Sequence, residues 1–351
     1  MEADHWRDRD VFVTGHTGFK GAWLSVLLHR LGARVHGYAL ETPKHFLFHR
    51  ARLGEIMASD VRGDIRDRAA MASALNASRA EVVLHLAAQS IVRESYRDPV
   101  ETFSTNVDGT LAVLEVVREV DSVSSCVVVT TDKVYRNNEW HWGYREVEPL
   151  GGDDPYSASK ACAELVTHAM TASFPREGLG VATARAGNVV GGGDATPDAL
   201  VPELIGAFAE GRKAVLRYPD AVRPWQHVLE PLSGYLTLAE NLPLGAHDTG
   251  FNFGPPAEDT LTVAEVAARM AELWGDGAAW TTTDERGPHE AGLLTLDSTR
   301  ARAELSWRPT LRATEALQLT VDWERSVRHG ESAYDATSRQ VEHYLGRSGS
   351  A

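Results

Sequence analysis

Tyr156 and Lys160 stand four residues apart in Tyr156-Ser157-Ala158-Ser159-Lys160. On a helix this spacing puts both side chains on one face. An ammonium beside a phenol favours the phenolate, so Tyr156 can act as a base near neutral pH. A second group that can move protons, Thr131-Asp132-Lys133, directly follows the apolar run Cys126-Val127-Val128-Val129-Thr130. In open α/β sheets, ligands sit at the carboxyl ends of such strands. The two groups therefore predict one site in which hydroxyl, carboxyl and amine side chains face a single substrate.

A third feature supplies a partner for that chemistry. Gly15-His16-Thr17-Gly18-Phe19-Lys20-Gly21 lies between a predicted strand and a predicted helix. Gly15 permits the tight turn, Gly18 lets backbone N–H groups approach a pyrophosphate, and Gly21 lets helix and strand pack closely. Thr17 and Phe19 belong to the same turn, and Lys20 either touches cofactor phosphates or points to solvent. The GxxGxxG spacing points to the short-chain dehydrogenase version of the Rossmann turn and to a bound dinucleotide. The second strand ends Gly37-Tyr38-Ala39-Leu40-Glu41, with no Arg there to meet a 2′-phosphate, so NAD is expected rather than NADP. Glu41 is a late candidate for the adenosine ribose. Gly63-Asp64-Ile65-Arg66-Asp67 resembles the segment that caps the adenine in the short-chain dehydrogenase superfamily, which implies Asp64 as acceptor for its amino group, whereas Asp67 reads as the N-cap of the next helix. Lys160 would also bond the nicotinamide ribose.

The elements that must position these residues follow a rhythm. Strands are predicted at residues 11–14, 35–39, 81–86, 126–130 and 181–185, and helices at 21–31, 69–75, 101–120 and 156–174. Runs apolar on both faces and separated by helices predict a parallel sheet covered on both sides. After Arg185 the rhythm breaks, Gly and Pro become frequent, and helices at 200–210, 263–274 and 314–327 lack regular strand alternation. The reading is an α/β fold. A doubly wound sheet forms an NAD-binding domain over residues 1–186. A smaller C-terminal α/β substrate lobe covers mainly 187–345, with some segments returning to the first domain.

The 351 residues carry 35 Lys and Arg against 49 Asp and Glu, a formal net charge of −14. Such a field disfavours nucleic acid and anionic membrane as partners. Cys126 and Cys162 form neither a disulfide framework nor a CxxC metal pattern, and no metal site is expected. The charged N-terminus is no signal peptide, and no apolar run approaches the ~20 residues of a membrane helix. A cytoplasmic protein is expected.

These motifs together resemble the extended short-chain dehydrogenase family of sugar-nucleotide enzymes. Within it, the subfamily of CDP-glucose 4,6-dehydratases is the most similar. The carriers are TGHTGFKGAWLS from Thr14, TTDKVY from Thr130, EWHWGYRE from Glu139, DPYSASKACAELV from Asp154 and ARAGNVVGGGD from Ala184. RPWQHVLEPLSGYL from Arg223, NFGP from Asn252, HEAGLLTLD from His289 and SWRPTL from Ser306 complete the set. His85-Leu86-Ala87-Ala88-Gln89 and Asn106-Val107-Asp108-Gly109-Thr110 support it.

The resemblance implies oxidation at C4 of the sugar with NAD, loss of water across C5–C6 and return of the hydride to C6. Tyr156 would take the C4 hydroxyl proton, with Thr131 bonded to that oxygen. Asp132 would donate to the departing C6 oxygen. Lys133 stands where most other sugar-nucleotide dehydratases carry Glu. It can serve as the C5 base if nearby positive charge lowers its pKa, or act only as a fixed cation. Leu86, Ala87 and Ala88 would line the cofactor. Asn188 and Arg223 match positions that hold the sugar-linked pyrophosphate. Gln89, Arg93 and His289 are further substrate-site candidates. A homodimer joined through the helices at 101–120 and 156–174 is also implied.

Three departures stand out. Ala195 follows Asp194 where a Trp is usual, Thr131 replaces Ser, and Asp153 replaces His. Two rivals remain at this stage. An epimerase or decarboxylase on the same fold would need Tyr156 and NAD but no Asp132-Lys133 pair. A silent NAD-binding regulator would have little use for Tyr156, Lys160 and Asp132 together. Trp140, Trp142, Trp225 and Trp307 read as packing residues.

Overall fold

The computed structural model describes residues 3–244, 250–283 and 292–348. Strand β1 (Asp10–Thr14) leads through the glycine turn into α1 (Phe19–Arg30), followed by β2 (Arg34–Ala39), β3 (Ser59–Arg62), α2 (Arg68–Ser78) and β4 (Val82–His85). Next come α3 (Gly109–Glu119), β5 (Ser125–Val129), α4 (Pro155–Ser173) and β6 (Gly180–Ala186). The remaining large elements are α5 (Leu200–Ala209), α6 (Leu229–Asn241), β7 (Phe251–Phe253), α7 (Val263–Trp274), α8 (Ala313–Arg328) and α9 (Ala333–Ser348).

Seven strands form one sheet in the order β7-β6-β5-β4-β1-β2-β3, every pairing parallel. The sequence explains why both faces are covered. Side chains alternate across a strand, so Val11, Val13, Val127 and Val129 enter one apolar layer while Phe12, Cys126 and Val128 enter the other. A further core, with Leu204, Phe208, Trp225, Met270 and Trp274, gathers α5 and α7 beyond the sheet.

Two strands of this sheet were not predicted. β3 is half exposed with alternating burial at the sheet edge, too polar to read as a buried strand. β7 has only three residues, but it pairs with β6 (Asn252 opposite Arg185), so a late segment returns to the sheet. The long helix predicted at 101–120 is a composite. Pro99–Phe103 runs through a wide turn, Ser104–Asp108, into α3. Such wide turns often mark functional sites. Here the turn presents Asn106, whose amide donates to the Gln89 carbonyl and to Ser159 Oγ and whose oxygen accepts from the Gln89 N–H, each at 2.9 Å.

Candidate active site

The predicted residues meet at the carboxyl ends of β1, β4, β5 and β6. Asp67 caps α2 by accepting from the Ala70 N–H at 3.0 Å, as its spacing predicts. Gly15 takes a left-handed φ of +75°, and a Cβ there would stand 2.7 Å from the Ala87 nitrogen. Gly21 is tighter still, because a Cβ would lie 2.2 Å from the Gly15 carbonyl oxygen. The turn therefore presses β1, α1 and the loop after β4 together, and only glycine allows it. Gly18 caps α1 without a side-chain bond, which leaves first-turn N–H groups pointing outward for an anion. Thr17 Oγ1 donates to the Leu40 carbonyl at 3.0 Å and ties the turn to the end of β2.

At that end the structure adds what the sequence order hides. His16, fully buried, shares a 2.8 Å bond with Asp60 of β3. Arg62 pairs with Asp60 and, at 2.5 Å, with Glu41. An Arg does sit near the end of β2, contrary to the linear reading, because β3 runs parallel beside it. Its charge is already met by two carboxylates. Asp64 is likewise engaged, accepting from the Arg66 N–H at 2.9 Å and from its guanidinium at 2.6 Å. That guanidinium holds its carboxyl below the usual range. Ile65 is buried in the layer around α2 and α3.

Helix α4 is built to present Tyr156. Asp154 caps it by accepting from the Ser157 N–H at 2.9 Å, Pro155 opens it, and the Tyr156 N–H donates to Ser95 Oγ at 3.1 Å. Lys160, one turn on, is buried and donates to the Val129 carbonyl at 2.8 Å. Burial lowers its pKa to about 8, against the pull of Glu164. The expected lowering of the Tyr156 phenol does not appear. Burial pushes it up, and the Thr131 hydroxyl bonded to it is the group that works the other way. Lys160 is anchored on a backbone carbonyl of β5 rather than on the phenol.

Thr131, Asp132, Lys133 and Tyr156 line one pocket of about 160 Å³ together with Lys20 and Asn188. Thr131 Oγ1 donates to Asp132 Oδ1 at 3.1 Å. The other oxygen, Asp132 Oδ2, is buried without a hydrogen-bond partner among the described residues. Burial raises this carboxyl, while Lys133, Thr131, Arg223 and Lys20 pull it down. The arrangement offers a buried acid with one unbonded oxygen, a phenol and an amine around a single small space.

Lys20 comes from the glycine turn, yet its ammonium lies inside this pocket, donating to Tyr235 Oη at 3.5 Å. Burial lowers it to about 8, against the pull of Asp132. Tyr235, from the middle of α6, was not among the expected site residues. Its position inside the RPWQHVLEPLSGYL motif was the available signal.

A cavity of about 610 Å³ opens beside the pocket, and Ser90, Val92, Lys133 and Asn188 line both. Arg93 and Arg223 line the larger one, Arg93 in a 2.9 Å ion pair with Asp198. Gln89 is the exception among the substrate candidates. Its side chain donates to Thr102 Oγ1 at 2.8 Å and accepts from the Ile91 N–H at 2.6 Å, so it shapes the loop after β4 and lines neither space. Leu86, Ala87 and Ala88 run beside the glycine turn, and the Ala87 N–H donates to Thr14 Oγ1 at 3.2 Å. His289 lies outside the described residues. Trp225 and Trp307 are buried as packing residues, whereas Trp142 is 60% exposed.

Sequence reasoning also missed the buried ion pair beneath the site. Arg185 of β6 grips Glu164 of α4 with two bonds, 2.9 and 2.8 Å, and Glu164 also accepts from Thr130 and Thr183. The signal was an acid four residues after Lys160. Among the described residues, no three His, Cys, Asp or Glu gather as metal ligands, and no helix is long and apolar enough to cross a membrane.

Comparison with known proteins agrees with this geometry. The family model described as GDP-mannose 4,6 dehydratase matches residues 12–320. The chain is 46% identical to a CDP-glucose 4,6-dehydratase of Salmonella typhimurium, over 98% of each chain. A dTDP-glucose 4,6-dehydratase from Streptomyces venezuelae with NAD and TYD bound superposes with a TM-score of 0.76 at 27% identity, over 91% of this chain and 98% of that one. A UDP-glucose-4-epimerase from Stenotrophomonas maltophila shares the fold, with a TM-score of 0.81 at 24% identity over 92% and 100% of the two chains.

Proposed function

The chain belongs to the GDP-mannose 4,6 dehydratase family, and from that premise we propose that it is an NAD-dependent hydro-lyase converting CDP-D-glucose to CDP-4-keto-6-deoxy-D-glucose. The observation that carries this reading is the convergence of Thr131, Asp132, Lys133 and Tyr156 on one small pocket. An epimerase or decarboxylase on this fold needs the phenol but has no task for a buried acid with an unbonded oxygen beside an amine.

The residues present fit NAD. The outward N–H groups at the start of α1 suit a pyrophosphate, and a side chain at Gly15 or Gly21 would close the turn. Asp64 and Ile65 would border the adenine, Leu86, Ala87 and Ala88 the rest of the cofactor, and Tyr156 and Lys160 the nicotinamide ribose. Arg62, neutralised by Asp60 and Glu41, is not offered to a 2′-phosphate, which supports NAD over NADP.

When bound, NAD would supply the hydride acceptor for C4 and the hydride donor for C6. Tyr156 receives the C4 hydroxyl proton, and Thr131 bonds the same oxygen. The Thr131 hydroxyl opposes the burial that raises the phenol. With a ketone at C4, the C5 proton is acidic, and Lys133 removes it. Asp132, whose carboxyl burial raises, gives its proton to the departing C6 oxygen. Lys133 then returns a proton to C5. Asn188 and Arg223 hold the pyrophosphate, and an Arg fork suits phosphate oxygens. Arg93 stands at the wall near Ser90 and Val92.

The partner is a small nucleotide sugar. A homodimer is part of the reading, supported by exposed apolar side chains on and before α3 and on α4. Among them Val100 is 77% exposed and Leu165 57%, joined by Phe103 and Leu111. Cytoplasmic residence accords with two free cysteines and the absence of an expected disulfide framework. The direct test is mass spectrometry of CDP-, UDP- and dTDP-glucose incubated with the protein and NAD. Loss of one water from CDP-glucose alone is expected, and an unchanged mass for all three overturns the proposal.

A further inference from the structure

The larger cavity has two ends. Ser90, Val92, Lys133 and Asn188 line both it and the catalytic pocket, which makes theirs the reacting end. Val215, Leu216, Arg217, Tyr218 and Glu203 line the larger cavity only. They come from the short strand Ala214–Leu216, the loop after it and the first turn of α5. With the sugar at the pocket and the pyrophosphate at Arg223, the base of a nucleotide sugar reaches this second end.

Among the described residues, two ion pairs line the cavity. Arg93–Asp198 closes at 2.9 Å and follows directly on Val92, so it belongs near the reacting end. Arg217–Glu203 lies beside the short strand Ala214–Leu216, away from the residues shared with the catalytic pocket, with its charged atoms 3.6 Å apart, and the side chains are 28% and 39% exposed. That separation exceeds a hydrogen bond. Among the described residues neither side chain makes a hydrogen bond, so the carboxylate and guanidinium stand side by side with bonding capacity on offer.

We infer that Glu203 and Arg217 read the base and select cytosine. Cytosine presents an amino donor at N4, where uracil and thymine present an acceptor oxygen at O4, and a carboxylate accepting from N4 is the matching contact. Beside it, cytosine N3 and O2 are acceptors for the Arg217 guanidinium. Uracil or thymine reverses the first two positions. O4 then faces the carboxylate and N3–H faces the guanidinium, so two acceptors oppose each other and two donors do likewise. A site built to bond a polar group rejects the analogue that cannot return the bond. Because the pair is partly exposed, the preference is on the order of 10- to 100-fold rather than more.

The inference rests on the nucleotide-sugar reading, and its test separates the two. Calorimetric Kd values for CDP and UDP, together with kcat/KM for CDP- and UDP-glucose, are measured for the wild type, Glu203→Gln and Arg217→Met. The wild type is expected to favour the cytidine ligand. Glu203→Gln, whose amide can donate to O4, narrows the CDP:UDP ratio about 10-fold, and Arg217→Met narrows it through the other contact. Asp198→Asn, which breaks the other ion pair, leaves the ratio where it was. If Glu203→Gln does not fold, Arg217→Met carries the test. A wild type that binds CDP and UDP alike, or variants that keep the wild-type ratio, overturns the inference. A shifted Kd ratio without dehydration of CDP-glucose upholds the base contacts and refutes the proposed reaction instead.

Discussion

Asp132→Asn isolates the elimination step. The substitution keeps size, and Asn can still accept from the Thr131 hydroxyl that now bonds Oδ1 at 3.1 Å. What it removes is an acidic proton on a carboxyl whose second oxygen has no hydrogen-bond partner among the described residues. Loss of a positioned general acid costs on the order of 10²–10⁴ in rate, about 3–5 kcal/mol of barrier at 1.36 kcal/mol per decade. C4 oxidation needs Tyr156 and Lys160 but not Asp132. The variant should therefore reduce NAD once per site on mixing with CDP-glucose and then stall. Folding should not suffer. Burial raises this carboxyl from its ordinary value of 3.8, so as pH rises past that value the folded state holds a proton that the unfolded chain has released, and stability falls. Asn removes the penalty, and the melting temperature should stay level or rise. Stopped-flow absorbance of the reduced cofactor, mass spectrometry of product and calorimetric NAD affinity read the three parts separately. Wild-type dehydration by Asp132→Asn, or loss of NAD binding, would refute the assignment of this residue.

Three further outcomes follow from the same structure. Gly21→Ala drives a methyl against backbone atoms at 2.2 and 2.7 Å that cannot step aside. It should cost about 1–3 kcal/mol in urea unfolding and abolish the rise in melting temperature that NAD gives the wild type. Glu164→Ala leaves the buried Arg185 guanidinium without its carboxylate, a loss of about 3–5 kcal/mol in denaturant unfolding. A wild-type midpoint would show that the pair is not structural. Glu230, held by the Thr310 and Leu311 N–H groups, is raised by burial from 4.5 to about 7. The folded state then keeps a proton between those values that the unfolded chain has released. This contribution is present below pH 4.5, falls as pH rises to about 7 and is gone above it. Glu230→Gln should flatten that part of the stability profile, and an unchanged slope would place the effect elsewhere.

Local chemistry was legible in the sequence wherever one segment contains the whole device. The GxxGxxG turn, the Asp67 cap and the Tyr156–Lys160 spacing each depend on residues within one turn or one helix. What stayed hidden depends on partners the fold brings from afar. Arg185 meets Glu164, Lys20 meets Tyr235, and Arg62 reaches the end of β2 only because β3 lies alongside. Gln89 shows the converse. It follows the strand at the place expected of a ligand contact, but its amide is engaged by Thr102 and the Ile91 N–H. The RPWQHVLEPLSGYL and SWRPTL segments, read separately as motifs, are two halves of one clasp, since Glu230 accepts from the backbone at Thr310 and Leu311.

The last strand of the sheet enters the chain late. β6 ends at Ala186, but its outer neighbour β7 begins at Phe251, and α9 packs against α1 from the far end of the sequence. During synthesis the edge of β6 stays uncovered while some 65 residues emerge, at the usual ribosomal pace a matter of several seconds. An open edge of a hydrophobic parallel sheet is a template for pairing with other chains. The nascent protein thus passes through a vulnerable interval in which holdase chaperones have something to bind. A truncation at the close of the glycine-turn half would make that interval permanent: such fragments should aggregate, and coexpression of the missing C-terminal part should rescue them.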